Sequence, residues 1–149
     1  NIFDCGMFTK AGERVNVLVM GRDYRWKYKE RFNQAAHKVH FGMMIKTVDG
    51  LDAASIASFR EQSHLDFVAA DSVYTVTFEF TMNLVPGDYF LNVGVGGRIG
   101  GEDTYLQRRV DTAMVRVIPL DTRESYGIAY IAPRFSYCCE DDNGTDPTE

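Results

Sequence analysis

The chain is predicted to fold as an all-β protein, an antiparallel β-sandwich of about seven or eight strands. Apolar and polar residues alternate in several short segments of the 149-residue sequence, and residues typical of turns separate these segments. No segment shows the convincing apolar repeat of 3.6 residues that marks an amphipathic helix. Because each predicted strand has one apolar face, a second sheet is expected to cover the first.

The composition is that of an ordinary globular domain, with 45% hydrophobic and 25% charged residues. A net charge of −5 disfavours nucleic acid or an anionic membrane as the partner. The sequence has three cysteines, two of them adjacent, which does not suit a set of paired disulfides. We therefore expect a cytoplasmic location, where thiols stay reduced. No apolar run approaches the roughly 18 residues of a membrane span. The chain begins without methionine, so we expect it to be a piece of a longer protein.

The first two predicted strands lie in the N-terminal third of the chain. Residues 15–20 follow a turn at 11–13, and Val15, Val17 and Val19 are expected to point inward. Residues 39–48 form the second strand, which ends at Asp49-Gly50, a dipeptide typical of tight turns. Its inward face is expected to carry Phe41, Met43 and Ile45.

The central part of the chain has both the weakest and the clearest strand patterns. Residues 51–60 are predicted as a strand despite their alanine and serine content, and residues 56–65 are the only place that suits a short helix. The alternation is clearest in 73–83, and Pro86-Gly87 separates it from the strand that resumes at Tyr89. We expect these two strands to be neighbours. The residues predicted to face inward are Tyr74, Val76, Phe78, Phe80, Met82, Tyr89, Leu91, Val93 and Val95.

The glycine cluster 94–101 does not match a phosphate-binding loop, because Ile99 stands at the third glycine position and Glu102 replaces the lysine. We therefore expect a flexible loop there. Further strands are predicted over 110–118 and Tyr126–Ala132, each followed by a proline. Residues 1–137 are expected to form the domain, and residues 138–149 an acidic, flexible tail.

No constellation of catalytic residues can be recognised. The sequence has no nucleophile elbow, and nothing selects a catalytic triad or a pair of carboxylates at the separation a glycosidase needs. His37 and His40 would lie on opposite faces of a strand, which disfavours a metal site. The sequence therefore predicts a protein that is not an enzyme and needs no cofactor.

Two features suggest a binding function. Residues 22–32 combine the only tryptophan with two tyrosines and five basic residues, a pattern that suits stacking on sugars or bases but also an exposed strand end. In addition, the faces opposite the predicted core are too apolar to remain in water. Either a ligand groove or a subunit interface would account for that face. Its apolar members are Leu18, Met20, Met44, Phe90 and Met114.

Several motifs in one order carry a resemblance to a known family. They are Phe41-Gly42 followed by Ile45-Lys46-Thr47-Val48-Asp49-Gly50, Phe78-Glu79-Phe80, the Leu-x-Pro-Gly-x-Tyr turn within residues 83–95, and Asp111 with Arg116-Val117. With these motifs the sequence resembles the C-terminal domain of Wzt, the ATP-binding subunit of ABC transporters that export O-antigen polysaccharide. The resemblance spans roughly residues 11–131.

The resemblance implies an immunoglobulin-like or jelly-roll sandwich that binds carbohydrate without catalysis. It implies recognition of the exported glycan, in some members through a methyl or phosphate-linked methyl group on its non-reducing end. The implied partners are an N-terminal ATPase domain of the same polypeptide and the membrane subunit Wzm, at the cytoplasmic face of the inner membrane. A homodimer formed by exchange of a terminal strand is also implied, with Tyr126–Ala132 as the candidate segment. The alternative is a structural dimerisation or adaptor domain that does not bind glycan.

Because the family offers no sugar-binding motif to transfer, the candidate site residues come from the alternation of the strands. We expect Tyr24 and Trp26 to be stacking platforms, and Arg22 and Arg116 to donate hydrogen bonds to hydroxyls or a phosphate. Met20, Met44 and Phe90 would form a floor that accepts a methyl group. The full candidate set is Arg22, Tyr24, Trp26, His40, Met44, Phe90, Asn92 and Arg116.

Overall fold

The computed structural model describes residues 1–58, 64–122 and 125–139, and it folds these ranges into ten β-strands without a helix. The all-β class is therefore confirmed, with ten strands in place of the seven or eight expected. The strands are β1 (Ile2–Thr9), β2 (Arg14–Val15), β3 (Val17–Val19), β4 (Asp23–Arg31), β5 (Ala36–Thr47), β6 (Asp52–Ala57), β7 (Leu65–Val68), β8 (Val73–Thr81), β9 (Gly87–Ile99) and β10 (Glu102–Ile118).

The strands form two sheets whose apolar faces meet in one core. One sheet has the order β2-β1-β4-β8 and is antiparallel throughout. The second, six-stranded sheet has the order β3-β10-β9-β5-β6, and β7 pairs with β5 beyond this order. The pairing of β3 with β10 is parallel, which is the one departure from the predicted antiparallel arrangement among the described strands. The sandwich places each apolar face against the other, as the sequence predicts.

The segment predicted as one strand over 15–20 divides between the two sheets. Val15 in β2 pairs with β1, whereas Leu18 in β3 pairs with Val117 of β10. The change of sheet at Asn16 inverts the alternation, so that Leu18 is buried and Val17 is exposed. The prediction that Leu18 and Met20 lie on an outer face is therefore wrong, because both side chains are in the core.

The basic and aromatic segment forms the central strand β4 of the four-stranded sheet. Its outer face carries basic side chains such as Lys27, whereas its inner face carries the aromatic residues Tyr24, Trp26 and Tyr28. Trp26 and Tyr28 have no exposed surface at all. The aromatic side chains of this strand belong to the core, whereas its basic side chains lie on the partly exposed outer face of a central strand and not at a strand end.

The inward residues predicted for β8 and β9 include the buried Val76, Met82 and Leu91, which confirms the alternation. The two strands are not neighbours, however. β8 pairs with β4, whereas β9 lies between β10 and β5 in the other sheet. The Leu-x-Pro-Gly-x-Tyr turn makes the crossing between sheets, and there the Tyr89 hydroxyl donates a hydrogen bond of 2.6 Å to the Val85 carbonyl. A tyrosine held in this way fixes the geometry of a sandwich corner.

The glycine cluster belongs to a long hairpin and is not a flexible loop. β9 continues through Gly94, Gly96 and Gly97 to Ile99, and it pairs with β10 along its whole length. Only the two glycines at 100–101, both with positive φ, form the turn. Because the hairpin is long, residues 102–109 of β10 lie within the second sheet, beside the glycine-rich part of β9.

The C-terminal segment does not form the predicted strand over Tyr126–Ala132. It contacts the sandwich through the bridge between Leu84 and Ala129 and a hydrogen bond from the Val85 amide to the Ile128 carbonyl. Beyond that bridge, Ile131 is 81% exposed. Residues 140–149 of the predicted tail lie outside the described residues.

The described residues within 56–65, the only place that suited a short helix, form no helix. Ile56 lies in β6 and Leu65 begins β7, while residues 59–63 lie outside the described residues. The strand predicted over 51–60 corresponds to β6, which ends at Ala57.

We expect Trp26→Ala to lower the free energy of unfolding by about 3–5 kcal/mol, because it removes a fully buried aromatic side chain from the core. Urea-induced unfolding followed by circular dichroism measures the change. Tyr105→Ala is the control, since that side chain is 74% exposed and its removal should change stability by about 0.5 kcal/mol or less. A loss below about 1 kcal/mol for Trp26→Ala would contradict the buried position.

Candidate functional site

The candidate residues lie in three places: the core, the connection between β3 and β4, and the outer face of the six-stranded sheet. Trp26 is completely buried and Tyr24 is 6% exposed, so neither can be a stacking platform on the surface. Both expectations are wrong because β4 turns its aromatic face toward the other sheet. The Tyr24 hydroxyl instead accepts a hydrogen bond of 2.7 Å from the Val19 amide. Arg22 is exposed in the connection between β3 and β4.

The remaining candidates share the outer face of the six-stranded sheet. On β5 and β9, Met44 lies opposite Asn92, and His40 lies opposite Gly96. Phe90 is paired with Met114 of β10, one step further along the same face. The five candidates on this face are His40, Met44, Phe90, Asn92 and Arg116.

A groove of about 250 Å³ crosses this outer face. Three sequence-predicted residues line it, namely His40, Met44 and Asn92, whereas Phe90 and Arg116 lie outside it. Two residues that the sequence analysis missed, Tyr105 and Arg108, form the wall on β10. The complete lining is His40, Gly42, Met43, Met44, Ser55, Ile56, Ala57, Asn92, Val93, Gly94, Gly96, Tyr105 and Arg108.

The groove exists because glycines occupy the middle of this face. Gly42 and Gly94 are cross-strand partners, and Arg108 pairs with Gly94 from the other side. A Cβ atom at position 94 would meet only the Gln107 carbonyl, at 3.9 Å, so the space above Gly94 is open. A Cβ atom at Gly96 would instead overlap the His40 imidazole.

Tyr28 supports the floor of the groove from the core side. Its hydroxyl lies 3.3 Å from the carbonyl oxygens of both Gly42 and Gly94, and it can donate a hydrogen bond to either. Burial raises the pKa of Tyr28, which keeps the hydroxyl protonated and able to donate. The core and the groove floor are thus joined through one side chain.

A bulge in β10 orients Asn92 at the end of the groove. Asp111 adopts a positive φ of 53° at this bulge, and its amide donates a hydrogen bond of 2.8 Å to Asn92 Oδ1. The Asp111 carboxylate pairs with Lys46 Nζ at 2.8 Å. On the other side of the amide, Asn92 Nδ2 lies 4.0 Å from the Met44 sulfur. Asn92 is 7% exposed, so its orientation is fixed within a nearly buried setting.

Most basic side chains near the groove are already paired. Arg116 contacts both oxygens of Asp88, at 2.8 and 3.2 Å, and holds the pKa of that carboxyl below its ordinary value. Arg98 does the same to Asp103, at 2.6 and 3.3 Å. Arg108, in contrast, forms no ion pair with any residue that the structure describes.

The groove is suited to binding a polar ligand. Its described lining offers an imidazole, a phenol, a guanidinium and an amide beside the apolar side chains of Met44 and Ile56. None of these lining residues is an aspartate or a glutamate. Such a mixture of apolar surface and directed polar groups is typical of ligand sites.

The profile of one protein family, the Wzt C-terminal domain, matches residues 1–131. The chain belongs to this family. The resemblance based on the sequence motifs is thereby confirmed. As a Wzt C-terminal domain, the chain is part of the ATPase subunit of an ABC transporter. No helix in the described ranges is long and apolar enough to cross a membrane.

The fold is shared with a solved Wzt domain. The crystal structure of the C-terminal domain of wzt superposes with a TM-score of 0.81 at 22% identity, over 93% of this chain and 83% of that chain. Spo0M, the sporulation control protein of Bacillus subtilis, reaches a TM-score of 0.39 at 10% identity, over 83% of this chain and 49% of that chain. No protein with a curated description matches the chain significantly.

We expect the pKa of Asp88 to lie below its ordinary value of 3.8 and to rise toward it in the Arg116→Gln variant, because the guanidinium stabilises the carboxylate. Because the folded state lowers this pKa, the stabilising effect is present at neutral pH and is lost as the pH falls through the folded pKa. Carboxyl-detected NMR titration measures the shift. Arg98→Gln serves as the control, since it should move the pKa of Asp103 alone. An Asp88 pKa that is identical with and without Arg116 would contradict the pairing.

Proposed function

We propose that the domain binds O-antigen polysaccharide in the groove and selects it for export by the ABC transporter, without catalysing a reaction on it. The observation that carries this proposal is the glycine-floored groove, which combines an apolar surface with several hydrogen-bonding groups. A sugar ring presents apolar C–H faces and hydroxyl edges, so it needs both kinds of surface. Membership of the Wzt C-terminal domain family agrees with a role in transport.

The size of the groove favours recognition of the modified non-reducing end of the glycan. Its volume of about 250 Å³ is below the roughly 300–1,000 Å³ of sites that enclose drug-sized ligands. A site of this size suits one or two sugar units more than a long stretch of polymer. Met44 and Ile56 supply an apolar wall against which a methyl group could pack.

We assign the binding role to a revised set of residues. Tyr105 replaces Trp26 as the aromatic platform, because it is exposed and opposite Gly96 on the wall of the groove. Arg108 replaces Arg22 and Arg116 as the guanidinium that reaches the ligand. His40, Met44 and Asn92 remain from the sequence-based candidates, and Phe90 and Arg116 adjoin the groove.

Membership of the family supports a proposal for the wider assembly as well. The domain would follow an N-terminal ATPase domain in the same polypeptide and act beside a Wzm-type membrane subunit. That arrangement places it in the cytoplasm, at the inner face of the inner membrane. A domain in this position would meet the glycan before the transporter moves it.

We also propose a homodimer in which the segment Tyr126–Ala132 is exchanged between two copies. Within one copy, this segment is attached to the sandwich mainly around Ala129. Large apolar and aromatic side chains in and after it are exposed, which is unfavourable unless a partner covers them. They are Tyr126, Ile131, Phe135 and Tyr137.

The alternative function, a structural dimerisation or adaptor domain, is favoured by a different observation. Several apolar side chains of β3 and β10 are also exposed, and an interface could cover them. They are Val17, Val110, Met114 and Ile118. This alternative places the outer face of the six-stranded sheet against another protein surface and leaves the groove without a glycan.

We expect Gly94→Val to weaken glycan binding at least tenfold while leaving the fold intact, because the added side chain fills the groove and meets little of the surrounding protein. Isothermal titration calorimetry with the source organism's own polysaccharide, native and with its non-reducing end removed, measures the effect. Thr77→Val, on the outer face of the other sheet, is the control. Unchanged affinity in a folded Gly94→Val protein would exclude the groove, and saturable binding to the native polymer alone would support end recognition.

Sedimentation equilibrium separates the proposed dimer from the structural alternative. We expect Ile131→Asp to dissociate the dimer, because Ile131 is 81% exposed in a single copy and the proposed exchange would bury it. Met44→Glu should keep the dimer and lose glycan binding. The opposite result, a Met44→Glu protein that becomes monomeric, would favour an interface on the outer face of the six-stranded sheet.

A further inference from the structure

Four cations form one row on the outer face of the four-stranded sheet. Every second residue of β4 points to this face, and its four consecutive outward positions from 25 to 31 are all basic. Residues two apart in a strand are separated by roughly 6.6 Å, so this cationic row is about 20 Å long. Arg14 of β2 lies beside the row, because it is opposite Phe8, which in turn is opposite Arg25. The members of the cationic row are Arg25, Lys27, Lys29 and Arg31.

Two carboxylates neutralise part of the charge on this face. Asp4 is shared between Lys29 and Arg14, at 3.1 and 3.3 Å. Glu79 of β8 pairs with Arg25 at 2.8 Å. One carboxylate shared between two cations leaves a positive charge over, so the face attracts further anions.

Lys27 and Arg31 are the members of the cationic row that keep their full charge. Neither forms an ion pair with a residue in the ranges that the structure describes. The Lys27 ammonium lies 5.4 Å from the centroid of the Phe8 ring, a contact that holds the side chain on this face without neutralising it. Asp23, at the start of β4, is already bound by Lys10 at 2.9 Å.

The last ten residues of the sequence carry the opposite charge. Residues 140–149 contain five of the 21 acidic residues and none of the 16 basic ones, so residues 1–139 contain 16 of each sign. The whole net charge of −5 therefore belongs to this acidic segment. A block of like charge at one end of a chain is typical of an interaction tail. Its acidic residues are Glu140, Asp141, Asp142, Asp146 and Glu149.

The chain passes one end of the cationic row before the acidic segment begins. The Tyr130 amide donates a hydrogen bond to the carbonyl of Asn83, which follows β8. A Cβ atom at Gly21, which precedes β4, would lie 3.3 Å from the Tyr130 ring. Both contacts are at the end of the sheet where Arg25 lies, two residues into β4. The ten residues from 130 to 140 can span up to about 33 Å, so the acidic segment can reach the row.

We infer that the acidic segment 140–149 docks on the cationic row of the copy to which Tyr130 is attached. An extended segment laid along β4 brings its carboxylates over a line of four cations. Several such pairs act together, whereas one exposed pair would contribute little. Docking there neutralises Lys27 and Arg31 and covers the outer face of the four-stranded sheet. This face is separate from the groove, so the inference does not depend on glycan binding.

Paramagnetic relaxation enhancement locates the acidic segment in the full chain. A nitroxide spin label is attached at Thr145→Cys after the three native cysteines are replaced by serine. At low ionic strength, we expect the amide signals of Lys27 and its cross-strand partner Thr77 to broaden. In 1 M salt, where the Debye length is about 3 Å, the broadening should disappear. The inference is overturned if β4 and β8 do not broaden at low ionic strength, or if their broadening persists in 1 M salt. Broadening that grows with protein concentration would overturn it in favour of docking on a second copy.

Two double variants test the row itself. Lys27→Gln with Arg31→Gln should reduce the broadening at Thr77 by about half or more, because the row loses the two cations without a described carboxylate partner. Lys38→Gln with Arg108→Gln is the matched control, since it changes the net charge equally but on the six-stranded sheet. Equal losses in the two double variants would overturn the inference.

A neutral form of the acidic segment keeps the test decisive if the row variant fails to fold. It changes no residue of a described strand, and it should abolish the broadening at Lys27 and Thr77 even at low ionic strength. Undiminished broadening would overturn the inference, because contact without charge is not electrostatic docking. The substitutions are Glu140→Gln, Asp141→Asn, Asp142→Asn, Asp146→Asn and Glu149→Gln.

Discussion

The position of Tyr28 couples the core of the sandwich to the groove on its surface. This residue comes from the middle of one sheet, is fully buried between the two sheets, and directs its hydroxyl at the carbonyls of Gly42 and Gly94 in the other sheet. Those carbonyls belong to the residues that leave the floor of the groove open on the opposite side. A buried hydroxyl needs a hydrogen-bond partner, so the Tyr28 hydroxyl must stay close to these carbonyls. Packing of the core thereby fixes the position of the groove floor. The distance between the two sheets and the shape of the groove therefore depend on each other.

Strand alternation predicted much of the fold because it is a local property. It placed the inner faces of β5, β8 and β9 correctly, for example at Met43, Val76 and Leu91. It failed where the outcome depends on which sheet a strand joins. The chain changes sheet at Asn16, which inverts the alternation. In β4, alternation of aromatic and basic residues was visible, but the burial of Trp26 depends on a partner sheet that the local pattern does not specify.

The site was partly predictable for the same reason. His40, Met44 and Asn92 lie on neighbouring strands with regular alternation, so their shared face could be inferred. Tyr105 and Arg108 reach the groove only because the glycine-rich segment forms paired strands and the turn falls at 100–101. That turn sets the cross-strand register, and register between strands is not visible in local composition. Those glycines, taken alone, suggested a loop.

The most direct test of the central claim is a two-dimensional ¹H–¹⁵N NMR titration of the chain with the source organism's native polysaccharide. The account predicts that the largest shift changes follow the groove, at His40, Met44, Asn92, Tyr105 and Arg108, with little change on the outer face of the four-stranded sheet. Changes concentrated on that other sheet, or along Tyr126–Ala132 alone, would contradict a glycan site in the groove.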